Sequence, residues 1–122
     1  MTFSDPAETW ERGMVRSDHP MLAGHFPGHP IVPGAWLLAW VVAAATRRLA
    51  LQIGVGEIPA CAISGINRVK FLRPLAPDQS FECALGMRAA GSKPDTTMRF
   101  KLSSGDITIA EGSLQLQRLQ PG

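Results

Sequence analysis

At 122 residues with 45% hydrophobic content, the chain is long enough for one domain with a real core and too short for two. A formal net charge of +2, with charges of both signs, excludes the concentrated basic face of a nucleic-acid binder and points to a small-molecule or protein partner. The two cysteines, Cys61 and Cys83, lie in apolar strand-like runs without metal-ligand spacing and are expected as reduced core residues of a cytoplasmic protein, since small secreted domains are disulfide-dense.

In chain order, residues 1 to 12 are polar, with early acids and neither a basic n-region nor an apolar h-region, so they do not read as a secretory signal. They are expected as a loosely held lead-in, and "GMVRSDHP" after them has room for a short strand or turn. From Asp18 to Pro33 the chain carries Pro20, Pro27, Pro30 and Pro33 with Gly24 and Gly28. Proline removes donors and fixes φ, so this stretch is neither a regular helix nor a central strand. It predicts a rigid, structured loop ending in "GHFPGHPIVPG", residues 24 to 34.

Pro33 suits the first helical turn, where its missing N–H costs nothing. "GAWLLAWVVAAATRRLALQ" then predicts a helix to about Ile53, stopped at Gly54, with Arg47 and Arg48 toward its C-terminal end, where cations complement the helix dipole. Leu37, Leu38, Val41, Val42, Ala45 and Leu49 make its apolar surface nearly continuous, which predicts burial in a protein core. The sixteen uncharged residues from Ile31 to Thr46 are interrupted by Pro33 and Gly34 and ended by Arg47 and Arg48, so the run is expected to be too short to cross a membrane.

Four β-like runs follow: "ACAISGINRVKFL", "SFECALGMRAA", "TTMRFKLSS" and "DITIAEGSLQLQRL". They are separated by "RPLAPDQ", "GSKPD" and "SGD", turn signals built from Pro, Gly and Asp. Short links between consecutive strands favour antiparallel pairing. The alternation of the last run fits a strand with a bulge near Gly112. The expected plan is α+β, one domain over 1–122 in which a sheet of at least four strands curls around a central helix.

"HFPGHPIVPG" before a helix, with "GINRVKFLRPLAPDQ" about forty residues after the first histidine, resembles the FabZ/FabA-type 3-hydroxyacyl-[acyl-carrier-protein] dehydratases of the hotdog fold. Their pattern is close to H-F-P-G-H-P-x-x-P-G-V-x-x-x-E, followed by K/R-F-x-R-P-V-x-P-G-D-x-L. The resemblance implies that His25 is the catalytic base and that the Gly34 N–H, at the helix start, points at the thioester carbonyl. Elementary chemistry agrees. Imidazole titrates near neutral pH and can accept and return a proton. Charge that develops on the carbonyl oxygen is stabilised by an unpaired helix-start N–H and the positive end of the dipole, and glycine there lets substrate approach the backbone. Phe26, Pro33, Trp36, Ala39 and Trp40 are expected to line the acyl site. His29, between Gly28 and Pro30, is expected to hold the loop, and His19 is assigned no role.

The chain departs from the family pattern at Ala39, fourteen positions after His25, where the dehydratases carry a Glu or Asp that protonates the leaving β-hydroxyl. Three readings follow. The first is a divergent dehydratase using water or an acid from elsewhere, with Asp18, Glu57 and Asp78 as candidates; dehydratase-like proteins of aryl-polyene clusters share the departure. The second is a thioesterase on the same fold. The third is a non-catalytic or half-catalytic subunit completed by a related chain bearing the acid.

The resemblance also implies acyl carrier protein as partner and a homodimer or heterodimer with a related hotdog chain. Arg68, Lys70 and Arg73, with Arg47 and Arg48, would form a basic rim that steers the acidic carrier. Alternation in "NRVKFLRP" puts Arg68 and Lys70 on one strand face and Val69 and Phe71 on the other. No metal cluster, phosphate loop or dinucleotide fingerprint occurs, so neither metal nor cofactor is expected.

Overall fold

A computed structural model describes residues 8–22, 31–52, 61–87 and 97–118. Its elements are β1 (Glu8–Gly13), a short 3-10 turn at Pro20–Leu22, α1 (Gly34–Gln52), β2 (Cys61–Phe71), β3 (Phe81–Met87), β4 (Thr97–Ser104) and β5 (Ile107–Arg118). The strands form one antiparallel sheet in the order β1-β3-β4-β5-β2, the α+β plan of the hotdog fold.

The core follows from two periodicities meeting. Leu37, Val41, Ala45 and Leu49 recur every fourth residue along α1 and are buried, one stripe of a helix. Phe81, Cys83 and Leu85 on β3, and Met98, Phe100 and Leu102 on β4, recur every second residue and are buried with them. On β5 the alternation switches phase. The β4–β5 register shifts between Leu102 and Ser103, leaving Ile109 unpaired, so Ile109 and Ala110 are both buried before Leu114 and Leu116 resume the pattern. The β5 bulge therefore lies at Ile109 and not near Gly112. Gly112 answers to a different constraint: an added Cβ there would collide with the Arg68 carbonyl and the Phe100 ring.

Three further expectations are corrected. The lead-in is not loose over its second half, because β1 pairs with the free edge of β3, with a register shift between Thr9 and Glu11. Six residues are too few to announce a strand by pattern, but β3 offers backbone donors and acceptors that need a partner. Although their link is short, β2 and β3 do not pair, for β2 lies at the far edge beside β5. In that link Leu75 is buried in the core, and Asp78 turns the chain at φ 65 with its N–H donating to the Val15 carbonyl.

The helix, finally, is not buried all round. Ala35, Ala39, Ala43, Thr46, Ala50 and Leu51 are exposed. By length and composition Gly34–Leu51 could cross a membrane, so the run is not too short. Leu37, Val41, Ala44, Ala45 and Leu49 are nevertheless buried in this domain's own core. The predicted stop at Gly54 and the "GSKPD" turn lie outside the described residues.

Candidate functional site at the start of the helix

Pro33 has no N–H, and its carbonyl accepts bonds from Trp36 N at 3.1 Å and Leu37 N at 3.2 Å. It is thus the residue before the first turn, and α1 begins at Gly34. The Gly34 and Ala35 N–H groups precede any acceptor within the helix and sit at the positive end of its dipole.

Two segments frame the space around this end. Val32 N donates to the Leu75 carbonyl at 2.9 Å, tying the entry to α1 to the chain leaving β2. That exit is pinned in turn by the Ile109 carbonyl, which accepts from Leu72 N at 2.8 Å and Arg73 N at 3.2 Å. Between the segments lies an open cavity of about 340 Å³. Ile31, Val32 and Leu37 line it on the helix side and Phe71, Leu72, Pro74 and Leu75 on the sheet side, with Gly34 and Arg73 completing it. A mostly apolar cavity with a few polar groups is the usual character of a small-molecule site.

Gly34 also meets a packing constraint beside the expected one. A Cβ built on it would lie 2.9 Å from Cζ and 3.1 Å from Cε1 of Phe71, closer than carbon atoms pack. The missing side chain makes room for the Phe71 ring. Phe71 itself is 51% exposed at the end of β2.

His25 and Phe26, with His29 and the candidate acid Glu57, lie outside the described residues. Of the other expected site residues, Gly34 and Arg73 line the cavity, and half-buried Pro33 adjoins it in sequence. Trp36 is half-buried and meets His19 edge-on, ring centroids 6.2 Å apart, a neighbour the sequence did not suggest. Ala39 is on the exposed face of α1 and is not among the residues lining the cavity. Trp40 stacks edge-on with Phe81 at 4.9 Å, and an added Cβ on Gly13 of β1 would meet its ring. The structure thus brings Trp40 to the β1–β3 side, away from the cavity.

The basic residues divide in two. Arg68, Lys70 and Arg73 are exposed, and among the described residues none has a carboxylate within 4 Å. Arg47 instead grips Glu11 through two hydrogen bonds of 2.6 Å, and the bond to Glu11 raises the guanidinium pKa further. Arg48 donates to the Leu85 carbonyl at 3.0 Å. Both bind the β1–β3 side, across the sheet from β2, and so do not join a common rim with Arg68.

The acids expected as substitutes are engaged as well. Asp18 faces Arg16 at 3.4 Å, and Asp78 Oδ1 accepts from Ser17 N at 2.9 Å. Cys83 is a free, buried thiol pushed up to about 12, chiefly by desolvation and secondarily by Glu11; the Cys61 side chain is outside the description. Among the described residues no group of three or more His, Cys, Asp or Glu could hold a metal ion.

Sequence reasoning missed Phe71 and the Leu72–Leu75 wall as parts of the site. The signal that could have found them was the second motif, "VKFLRPLAP", which carries the resemblance and Arg73 but whose prolines read first as a turn.

Comparison with known proteins places this geometry. The model of the ApeI-like family, described as ApeI dehydratase, matches residues 6–113. The 3-hydroxyacyl-[acyl-carrier-protein] dehydratase FabZ of Thermus thermophilus is 35% identical over 63 residues, covering 52% of this chain and 44% of that protein. The FabZ of Syntrophotalea carbinolica is 30% identical over 71 residues, covering 58% and 48%. The chain thus spans about half the length of the curated relatives it matches. Among solved structures, the dehydratase heterocomplex ApeI:P from Xenorhabdus doucetiae superposes with a TM-score of 0.59 at 21% identity, over 88% of this chain and 84% of that one. An uncharacterized protein from Erwinia carotovora superposes with a TM-score of 0.65 at 25% identity, over 98% and 94%. The fluoroacetyl-CoA thioesterase FlK shares the fold, with a TM-score of 0.59 at 16% identity over 94% and 91%.

Proposed function

This chain belongs to the ApeI-like dehydratase family, and from that premise we propose that it acts on 3-hydroxyacyl thioesters of acyl carrier protein, in the cytoplasm, in fatty-acid or polyketide-type biosynthesis, aryl-polyene synthesis included. The observation that carries the reading is the apolar cavity opening at the first turn of α1, directly after "HFPGHPIVPG".

His25 removes the α-proton. The C–H electron pair moves toward the thioester carbonyl, and the Gly34 N–H with the helix dipole stabilises the oxygen that gains charge. As the pair returns to form the α,β double bond, the β C–O bond breaks and the hydroxyl leaves with a proton as water. Ala39 cannot give that proton. We assign the donor to a carboxylate of a related hotdog chain joined along β2, which with β1 ends the sheet among the described residues and whose outer edge there would take a partner strand. Engagement of Asp18 and Asp78 in loop contacts favours a partner's acid over one of these. Arg68, Lys70 and Arg73 on that side would receive the acidic carrier.

Mass-spectrometric turnover of a 3-hydroxyacyl-ACP panel tests the reading, on wild type, His25→Ala and Ala39→Glu. Water loss that His25→Ala abolishes supports it. Wild-type silence with activity in Ala39→Glu identifies a subunit that needs a partner's acid. Release of free acid would overturn it in favour of a thioesterase.

A further inference from the structure

An aromatic ring half-exposed at the end of an edge strand ordinarily has no assigned task, and an apolar wall needs no particular residue. Phe71 is held more closely than a wall requires. The far edge of its ring packs against Gly34, 2.9 to 3.3 Å from where a Cβ would be, and the ring also lines the cavity. Its backbone is fixed on both sides. Phe71 pairs with Ala110 across the β2–β5 ladder, and the next two N–H groups share the Ile109 carbonyl. Four residues on, the Leu75 carbonyl accepts from Val32 N, two residues before Gly34. The start of the helix is therefore held at two points, a hydrogen bond from Val32 to the link that leaves β2 and the ring of Phe71 against Gly34.

We propose that Phe71 is a positioning residue for the Gly34 N–H. By filling the space left by the glycine it sets the first turn of α1 against β2, and so the direction in which the N–H meets a thioester oxygen in the cavity. The inference rests on the role given above to Gly34. A donor aimed at charge that develops only in the transition state lowers the barrier without tightening ground-state binding, so its misplacement lowers kcat more than it raises KM. A residue that merely walls the cavity would do the reverse.

The test uses Phe71→Leu, Gly34→Ala and the double variant, with the partner chain present if turnover requires it. Phe71→Leu keeps an apolar side chain and shortens the reach. It is expected to lower kcat about tenfold or more, with KM within about threefold, since small misplacements of a catalytic group have effects of that order. Gly34→Ala puts a methyl into the ring and lowers kcat likewise. In the double variant the shorter side chain at position 71 leaves room for that methyl, so kcat recovers above the Gly34→Ala value.

A second readout needs no turnover. In 1H–15N spectra, Phe71→Leu shifts the Gly34 amide of the free protein and alters its response to butyryl-pantetheine, used as the probe. A KM effect with unchanged kcat, or a double variant no better than the sum of its parts, overturns the proposal. So does a Gly34 amide indifferent to Phe71. Absence of turnover on every thioester, with the amide coupling intact, would instead overturn the dehydratase reading and leave the ring contact standing.

Discussion

Replacing Gly112 by alanine would put a methyl group against the Arg68 carbonyl of β2 and 2.8 to 2.9 Å from the Phe100 ring. Neither neighbour can yield easily. Phe100 is fully buried, and Arg68 belongs to the β2–β5 ladder, where it pairs with Ser113 and Val69 pairs with Gly112 itself. Overpacking of a close-packed interior costs about 1–3 kcal/mol, and a ladder hydrogen bond loosened to make room costs about 1 kcal/mol more. The expected loss is roughly 3 kcal/mol, a large share of the ~5–15 kcal/mol that holds a domain together. For a chain of this size that is a fall in Tm of roughly 10 °C.

Two other glycines serve as controls. At Gly65 the nearest atom to an added Cβ is Gln115 Cβ at 3.9 Å, so Gly65→Ala should change stability by less than about 0.5 kcal/mol. Gly105 has open space but φ +61, so Gly105→Ala should cost about 1 kcal/mol from backbone conformation alone. Thermal and urea unfolding followed by circular dichroism would rank the three. Gly112→Ala melting within about 2 °C of wild type would refute the close β2–β5 approach, and with it the placement of Phe71.

Trp40→Ala should destabilise by about 2–3 kcal/mol, less than a fully buried tryptophan would, yet leave butyryl-pantetheine binding unchanged; weakened binding in a folded variant would bring Trp40 back to the site. Cys83 should resist thiol reagents at pH 8 until the protein unfolds, since its thiol is pushed up to about 12. Its folded pKa is raised above the ordinary 9.0, so its contribution to stability is intact below about pH 9 and is lost as pH climbs toward about 12. A Cys83→Ala variant should show a flatter decline over that window, and parallel curves would contradict the assignment. For Arg47 and Glu11, a double-mutant cycle should give a favourable coupling that shrinks in high salt, because the guanidinium is solvent-exposed; no coupling at low salt would show that the 2.6 Å contacts do not persist.

Much of this molecule was legible in its order of residues. The helix beginning at Gly34 was readable because the fixed φ and missing donor of Pro33 act within a few residues, whereas residues 24–30 of the expected rigid loop lie outside the described residues. The runs at Phe81–Leu85 and Met98–Leu102 announced themselves by alternation, since the pleat turns every second side chain inward. Other features had no local signature. "ETWERG" became β1 because β3 had an open edge. "RPLAPDQ" looked like a hairpin turn, yet it joins β2 to β3, which β4 and β5 separate in the sheet. Arg47 and Arg48 read as helix-end charges, whereas Glu11 and the Leu85 carbonyl claimed them from across the domain.

Sequence alone thus determined the helix, most of the strands, the family to which the motifs point and the absence of the helix acid at Ala39. These are matters of local conformation and residue identity. The tertiary structure alone decided that β2 is one edge of the described sheet, that Trp40 belongs to the β1–β3 side, and that Gly34 packs against a phenylalanine 37 positions away. Each depends on which distant segments meet, and close packing makes that choice only once the whole chain is in place.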